Sequence, residues 1–238
     1  MRTKAMSKPN PYDWPLTYSQ LGQDWFVDTV LRGKRGGYFL DIGCGISTLS
    51  PHEYPISTMS NTYGLEKHRN WNGVGVDYNL DYFRMASRVR KTIVCADLLK
   101  TNINSILKEK EAPLHIDYLS FDVDSAQRKV FDDLDFDKYS FSVITYEHNH
   151  SPSSDACERD YSRSRFTSMG YKLLFGDVGL DDKQYIEDWW VSQELYKEWQ
   201  HLASQNEREQ ITTGKIIKLF QREKTLLCSN KTSTKESI

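Results

Sequence analysis

Four acidic residues lie at or near the end of short apolar runs. Asp41 follows Tyr38-Phe39-Leu40, Asp77 follows Val74-Gly75-Val76, Asp97 follows Thr92 to Ala96, and Asp122 falls within His115 to Asp124. Ile42 and a Gly-x-Gly turn, Gly43-Cys44-Gly45, come directly after the first acid. Short buried strands closing in acids are what the ligand-facing edge of a parallel α/β sheet presents. Glycines in such a turn let backbone N–H groups approach a ligand that a side chain would hold away, and Asp41 would add an acceptor beside them. The turn alone fits a dinucleotide, S-adenosylmethionine or a purely structural bend. Asp77 stands where nucleoside-binding folds hydrogen-bond ribose hydroxyls, although Asn79 and Asp81 show that helix capping is an alternative there. Asp97 stands where a short acid can meet an adenine amino group.

The surrounding elements fall in alternating order. Ser19-Gln20-Leu21-Gly22-Gln23-Asp24 opens an amphipathic helix with Trp25, Phe26, Val30 and Leu31 inward and Gly33 at its end. That polar start is either a helix cap or a cover over the ligand site. Ser50-Pro51-His52-Glu53 has the form of a capping box, cut short by Pro55. Thr62 to Lys67 then begins the first crossover helix. Further helices are expected over Leu80 to Val89, Asn102 to Glu111, Ser154 to Met169 and Tyr196 to Arg208. Strands are expected at Thr92 to Cys95, His115 to Asp124, Ser140 to Glu147 and Gly170 to Asp177. Glu187 to Val191 is placed in or beside a helix, and Gly214 to Arg222 fits either a strand or a helix. This alternation predicts an α/β, doubly wound, mainly parallel sheet with helices on both faces.

Composition narrows the class. The 31 basic and 33 acidic residues leave a formal net charge of −2, which disfavours nucleic acid as the main partner. The N-terminus lacks an apolar signal core and no apolar run is long enough for a bilayer, so a cytoplasmic protein without a membrane partner is expected. Cys44, Cys95, Cys157 and Cys228 are far apart, with no CxxC pair. The expected organisation is an extended lead-in over 1–17, one domain over 18–222 with an insertion at 46–59, and a polar disordered tail over 223–238. The insertion, with two prolines after the glycine turn, suits a lid ordered on ligand binding.

With these motifs placed, the chain resembles the FkbM-type methyltransferases, a branch of the class I S-adenosylmethionine-dependent enzymes. The resemblance is carried in order by SQLGQD (Ser19 to Asp24), FLDIGCG (Phe39 to Gly45), SNTYGLEK (Ser60 to Lys67) and WNGVGVD (Trp71 to Asp77). It continues through Ala96-Asp97, IDYLSFDVDS (Ile116 to Ser125), ITYEHN (Ile144 to Asn149), MGYKLL (Met169 to Leu174) and EDWWV (Glu187 to Val191). Two departures stand out: Ile46 to Met59 intervenes before the Ser-Asn-Thr segment, and Asp77 replaces the family's frequent glutamate.

The resemblance implies a seven-stranded methyltransferase sheet with S-adenosyl-L-methionine as cofactor. Asp41 and the Gly43-Cys44-Gly45 backbone would hold its amino acid end. Asp77, with Tyr78 beside it, would hold the ribose, Asp97 and Leu98 would frame the adenine, and Asp122 would sit near the sulfonium. The implied reaction is O-methylation of a sugar, a nucleotide sugar or another small hydroxylated metabolite. Catalysis of that in-line displacement rests on near-attack positioning and late removal of a hydroxyl proton. His148, following the fifth strand and titrating near neutrality, is the candidate base, with a packed structural histidine as the alternative. Asp122, Asp124, Glu147 and His148 could instead converge on a divalent cation, which is not expected. The rivals are a nicotinamide-dependent oxidoreductase, which would want G-x-G-x-x-G/A where Thr48 stands, and a non-catalytic cofactor-binding protein.

Overall fold

The computed structural model describes residues 17–45, 59–123, 126–150, 157–180, 185–203, 212, 214–216 and 218–220, with backbone alone at 150. The lead-in before Thr17, the insertion up to residue 58, Asp124 and the tail lie outside the described residues.

Seven helices and seven strands follow one another in the described chain. They are α1 (Gln23–Val30), β1 (Tyr38–Ile42), α2 (Tyr63–Arg69), β2 (Asn72–Asp77), α3 (Leu80–Ala86), β3 (Ile93–Cys95) and α4 (Ile103–Glu109). Then come β4 (His115–Phe121), α5 (Gln127–Asp133), β5 (Ser140–His150), α6 (Cys157–Ser168), β6 (Lys172–Val178), β7 (Tyr185–Val191) and α7 (Gln193–Ala203). The strands form one sheet in the order β3-β2-β1-β4-β5-β7-β6. Pairs β1–β2, β1–β4, β2–β3 and β4–β5 are parallel, and β7 runs antiparallel between β5 and β6. The expected doubly wound, mainly parallel sheet is therefore present.

Glu187 to Val191 forms part of β7, which corrects the expected helical placement. Alternation explains the error. Trp189 and Val191 enter one buried core, with Trp25 and Phe26 of α1 and Trp199 and Leu202 of α7. Trp190 enters the other, with Val130 and Phe131 of α5 and Phe166 of α6. A strand covered on both faces has no polar side to betray its period of two. Of Gly214 to Arg222, 214–216 and 218–220 are helical, with Ile216 and Phe220 buried.

The SQLGQD motif folds around Asp24 in the first turn of α1, and Gly22 at the N-cap position makes no side-chain cap bond. The Asp24 carboxylate accepts from Thr17 Oγ1 (2.6 Å), Tyr18 N (2.7 Å), Ser19 Oγ (2.8 Å) and Trp25 N (2.8 Å). Burial still raises its pKa against those four donors. The Tyr18 carbonyl in turn accepts from Ser60 N at 2.9 Å, so this segment also anchors the chain where it re-enters before α2. Behind it, Arg69 of α2 holds Asp28 of α1 through two bonds of 2.6 and 2.8 Å, both side chains being buried.

Candidate functional site

A cavity of about 510 Å³ opens at the carboxyl ends of β1 to β4. Its walls are Gly43 and Gly45, Asp77 with Tyr78, Asn79 and Tyr82, the Ala96–Leu99 run, and Asp122 with Val123, Ala126 and Val130. A second, wider depression of about 600 Å³ lies at the opposite sheet edge, around His115, Ser140, Gly170 and Ser192. There the His115 ring is bonded to the hydroxyls of Ser140 (3.0 Å) and Ser142 (2.9 Å). In open α/β sheets ligands bind outside the carboxyl ends of the strands, so the smaller cavity is the candidate site.

The glycine turn shapes this cavity by making room. Gly43 has φ +83°, and a Cβ there would lie 1.5 Å from the Asp122 carbonyl oxygen. A Cβ on Gly45 would lie 2.9 Å from Asp77 Oδ2 and press on Tyr82. The backbone donors are committed inside the protein, which differs from the expected role. Gly43 N and Cys44 N both donate to the Val76 carbonyl, at 2.9 and 3.1 Å, and Gly45 N–H faces the Asp77 carboxylate.

Asp77 is buried at the end of β2. Its pKa is raised by burial, against the Asn79 and Gly45 N–H groups that favour its ionised form. Asp77 Oδ1 accepts from Asn79 N at 2.7 Å. The capping alternative is resolved by Asn79, whose side chain caps α3 by accepting from Asp81 N and Tyr82 N. Asp77 is thus left facing the cavity. Tyr78 stands at the rim, 75 % exposed. Asp97 is tied to Lys100 (2.8 Å) and to Leu99 N (2.9 Å), and the Lys100 ammonium holds its carboxyl below the usual range. Leu98 beside it is buried.

Asp41 and Cys44 lie apart from the cavity lining. The Asp41 carboxylate accepts a short hydrogen bond from Thr62 Oγ1 and stands 4.0 Å from Arg90. Arg90 also bonds Glu66 (2.7 Å), Ser60 Oγ (3.0 Å) and Thr62 Oγ1 (2.6 Å), while Asn61 reaches Ser120 Oγ at 3.0 Å. The Ser60-Asn61-Thr62 segment therefore belongs to a buried polar network under the turn. Burial raises the Asp41 pKa despite Arg90, and the Cys44 thiol, buried against Gly75, is pushed far up.

His148 is held in a buried cluster of charged side chains. Alternation along β5 sends Glu147 and His148 to opposite faces of the sheet. His148 is 0 % exposed at its side chain and lies 3.4 Å from Asp188 and 3.9 Å from Asp177. Arg163 clamps Asp188 through two 2.7 Å bonds and reaches Asp177 at 3.0 Å, and Arg159 reaches Asp177 at 3.0 Å. His148 is not among the residues lining the cavity, and its ring is enclosed by the Asp188 and Asp177 carboxylates. Nor does it join Asp122 and Glu147. The donor atoms that do converge within 4.8 Å belong to His148, Asp177 and Asp188, and the two guanidinium groups already compensate those carboxylates.

The residue that sequence reasoning left without a role is Glu187. It pairs directly with Glu147 across β5 and β7, is buried, and accepts a short hydrogen bond from Trp189 Nε1. Burial pushes its carboxyl up to about 8, with Asp122 and Asp188 adding to the rise. Its period-two relation to Trp189 was the available signal, hidden by the helical placement of EDWWV.

No protein-family model matches the chain, and no curated protein matches it. Among solved structures it is similar to the METTL16 methyltransferase domain, at 16 % identity and TM-score 0.46, over 72 % of this chain and 66 % of that one. It is also similar to the plantazolicin methyltransferase BpumL in complex with SAH, at 12 % identity and TM-score 0.45, over 72 % and 82 % of the chains. A SAM-dependent methyltransferase from Archaeoglobus fulgidus gives 15 % identity and TM-score 0.39, over 79 % and 89 %. Such low identity and partial superposition leave the site to be read from its own geometry. No described helix is long and apolar enough to cross a membrane.

Proposed function

We propose that the protein is an S-adenosylmethionine-dependent methyltransferase acting on a hydroxyl of a small acceptor such as a sugar. The observation that carries the reading is Asp77 at the end of β2, facing a cavity whose floor only glycines at 43 and 45 leave open. The residues fit a nucleoside: a buried acid for two vicinal hydroxyls, Tyr78 and Tyr82 as aromatic walls, and Leu98 with Asp97 for a base and its amino group. When bound, the cofactor supplies a methyl group already activated by its sulfonium charge. The protein's part is to orient the acceptor and exclude water. Asp122, on the cavity wall, is the residue that would sit near the sulfonium.

Sheet order favours this reading over the nicotinamide enzyme. A dinucleotide fold runs 3-2-1-4-5-6, whereas here antiparallel β7 is inserted between β5 and β6, in a sheet of the seven strands that the resemblance implied. The sequence also has Thr48 where the third glycine of that fingerprint would fall.

The test is turnover with a methyl-labelled cofactor against sugars, nucleotide sugars, RNA and DNA. Label on a small-molecule oxygen with release of S-adenosylhomocysteine supports the reading. Label on nucleic acid or on nitrogen overturns the acceptor, and binding of NAD in place of S-adenosylmethionine overturns the class.

A further inference from the structure

The cavity wall carries charge of one sign. Its charged side chains are Asp77, Asp97 and Asp122, and no Lys, Arg or His stands among the described residues that line it. Lys100 offsets Asp97 from outside, with its own side chain 82 % exposed. The backbone donors that could face an anion are spent within the protein. Gly43 N and Cys44 N go to the Val76 carbonyl, and Asp122 N goes to the Ile42 carbonyl. Gly45 N and Asn79 N go to the Asp77 carboxylate. α3 begins at this wall, and the Asn79 side chain takes the N–H groups of Asp81 and Tyr82 there. A phosphate held at a glycine turn or a helix start needs such donors. The wall also has an order. Ile42 pairs with Val76 on one side and with Phe121 on the other, so the next residues, Asp77, Gly43 and Asp122, form one row across β2, β1 and β4. With strands about 4.8 Å apart, the two acids stand roughly 10 Å apart along that row, and Gly43 between them carries no side chain.

We propose that the cavity selects its nucleoside by the charge of the 5′ substituent, holding a cation and refusing an anion, with Asp122 the specificity-determining residue. The inference rests on the methyltransferase reading, in which Asp77 takes the ribose and the sulfonium is the cation. A ribose on Asp77 with its base beside Leu98 directs the 5′ substituent along the row toward Asp122. An opposite charge within about 4–6 Å favours the charged form of a group by roughly 10- to 1000-fold. Methyl transfer leaves the S–C bonding pair on sulfur and abolishes that charge, so the product loses the attraction. The site is thereby suited to release S-adenosylhomocysteine rather than retain it as an inhibitor. A 5′-phosphate meets the same carboxylate, and the described wall offers it no side-chain cation.

The experiment is calorimetry on the full chain with S-adenosylmethionine, S-adenosylhomocysteine, adenosine and adenosine 5′-monophosphate. S-adenosylmethionine should bind at least about tenfold more tightly than S-adenosylhomocysteine, and adenosine at least about tenfold more tightly than its monophosphate. Both ratios should shrink in about 0.5 M sodium chloride, since salt screens charge in a half-open site. In Asp122→Asn the first ratio should fall to about threefold or less while S-adenosylhomocysteine keeps its wild-type affinity. A merely structural role for Asp122 would weaken both ligands together. S-adenosylhomocysteine bound as tightly as S-adenosylmethionine, the monophosphate bound as tightly as adenosine, or an unchanged ratio in folded Asp122→Asn overturns the inference and leaves the cofactor assignment intact. If Asp122→Asn does not fold, the two wild-type ratios and their salt dependence decide the matter alone. Failure of the wild-type protein to bind S-adenosylmethionine and S-adenosylhomocysteine alike overturns the cofactor assignment and this inference with it.

Discussion

Glu187 and Asp188 are consecutive in β7, both buried, yet their carboxyls are driven in opposite directions, Glu187 up to about 8 and Asp188 down to about 2. Burial acts upward on both. For Asp188 it is outweighed by the bidentate Arg163 clamp and by His148 on the same face. Glu187 points to the other face, where its neighbours are hydrogen-bond donors and other acids. One strand thus carries an ion cluster on one face and a buried carboxyl with a raised pKa on the other.

The two acids give opposite pH signatures. Asp188 has a folded pKa below its unfolded one, so its contribution is present above about pH 4 and is on the order of 2 kcal/mol. It is lost as pH falls toward about 2. Glu187 has a raised folded pKa, so its contribution is full below its unfolded value and is lost as pH rises through about 8. Glu187→Gln should therefore stabilise the ligand-free protein at pH 8 by about 1–3 kcal/mol. Denaturant unfolding of both proteins at pH 5 and pH 8 checks this, and an equal difference at the two pH values would contradict it.

His148→Ala should lower stability rather than chemistry. Removing the ring leaves Asp188 and Asp177 with the arginines and the Asp177 N–H and opens a buried cavity, a cost of about 2–4 kcal/mol. Turnover per folded molecule should be nearly unchanged. A selective fall in kcat, with the melting temperature intact, would restore the base role.

Gly43→Ala should be among the most damaging single-atom additions in the chain. A positive φ and a carbonyl oxygen 1.5 Å from the new Cβ leave no room without moving β4. The expected loss is about 2–4 kcal/mol together with a closed cavity. Thermal unfolding within 1 °C of the parent, on the order of a few tenths of a kcal/mol, would show the turn to be pliable.

Much of the parallel half of the sheet was legible because β1, β2 and β3 are short apolar runs that end beside an acid. Asp77, Asp97 and Asp122 were found by that pattern, and all three line the cavity. Asp41 ends the same kind of run yet is spent on Thr62 and the Arg90 network, a partnership that only tertiary contact reveals. β7 was not legible, since tryptophans at 189 and 190 serve opposite cores. The ion cluster around His148 was not legible either, since the arginines that compensate Asp177 and Asp188 come from α6 and the two acids from β6 and β7.

The cofactor assignment turns most directly on Asp77. Calorimetric titration of the wild-type protein and of Asp77→Ala with S-adenosylmethionine and with NAD should show binding of the first ligand and none of the second. Loss of the two ribose hydrogen bonds should weaken S-adenosylmethionine by about 1–3 kcal/mol, roughly 5- to 150-fold, in a variant that unfolds normally. Unchanged affinity in a folded Asp77→Ala protein, or wild-type binding of NAD alone, would contradict the account.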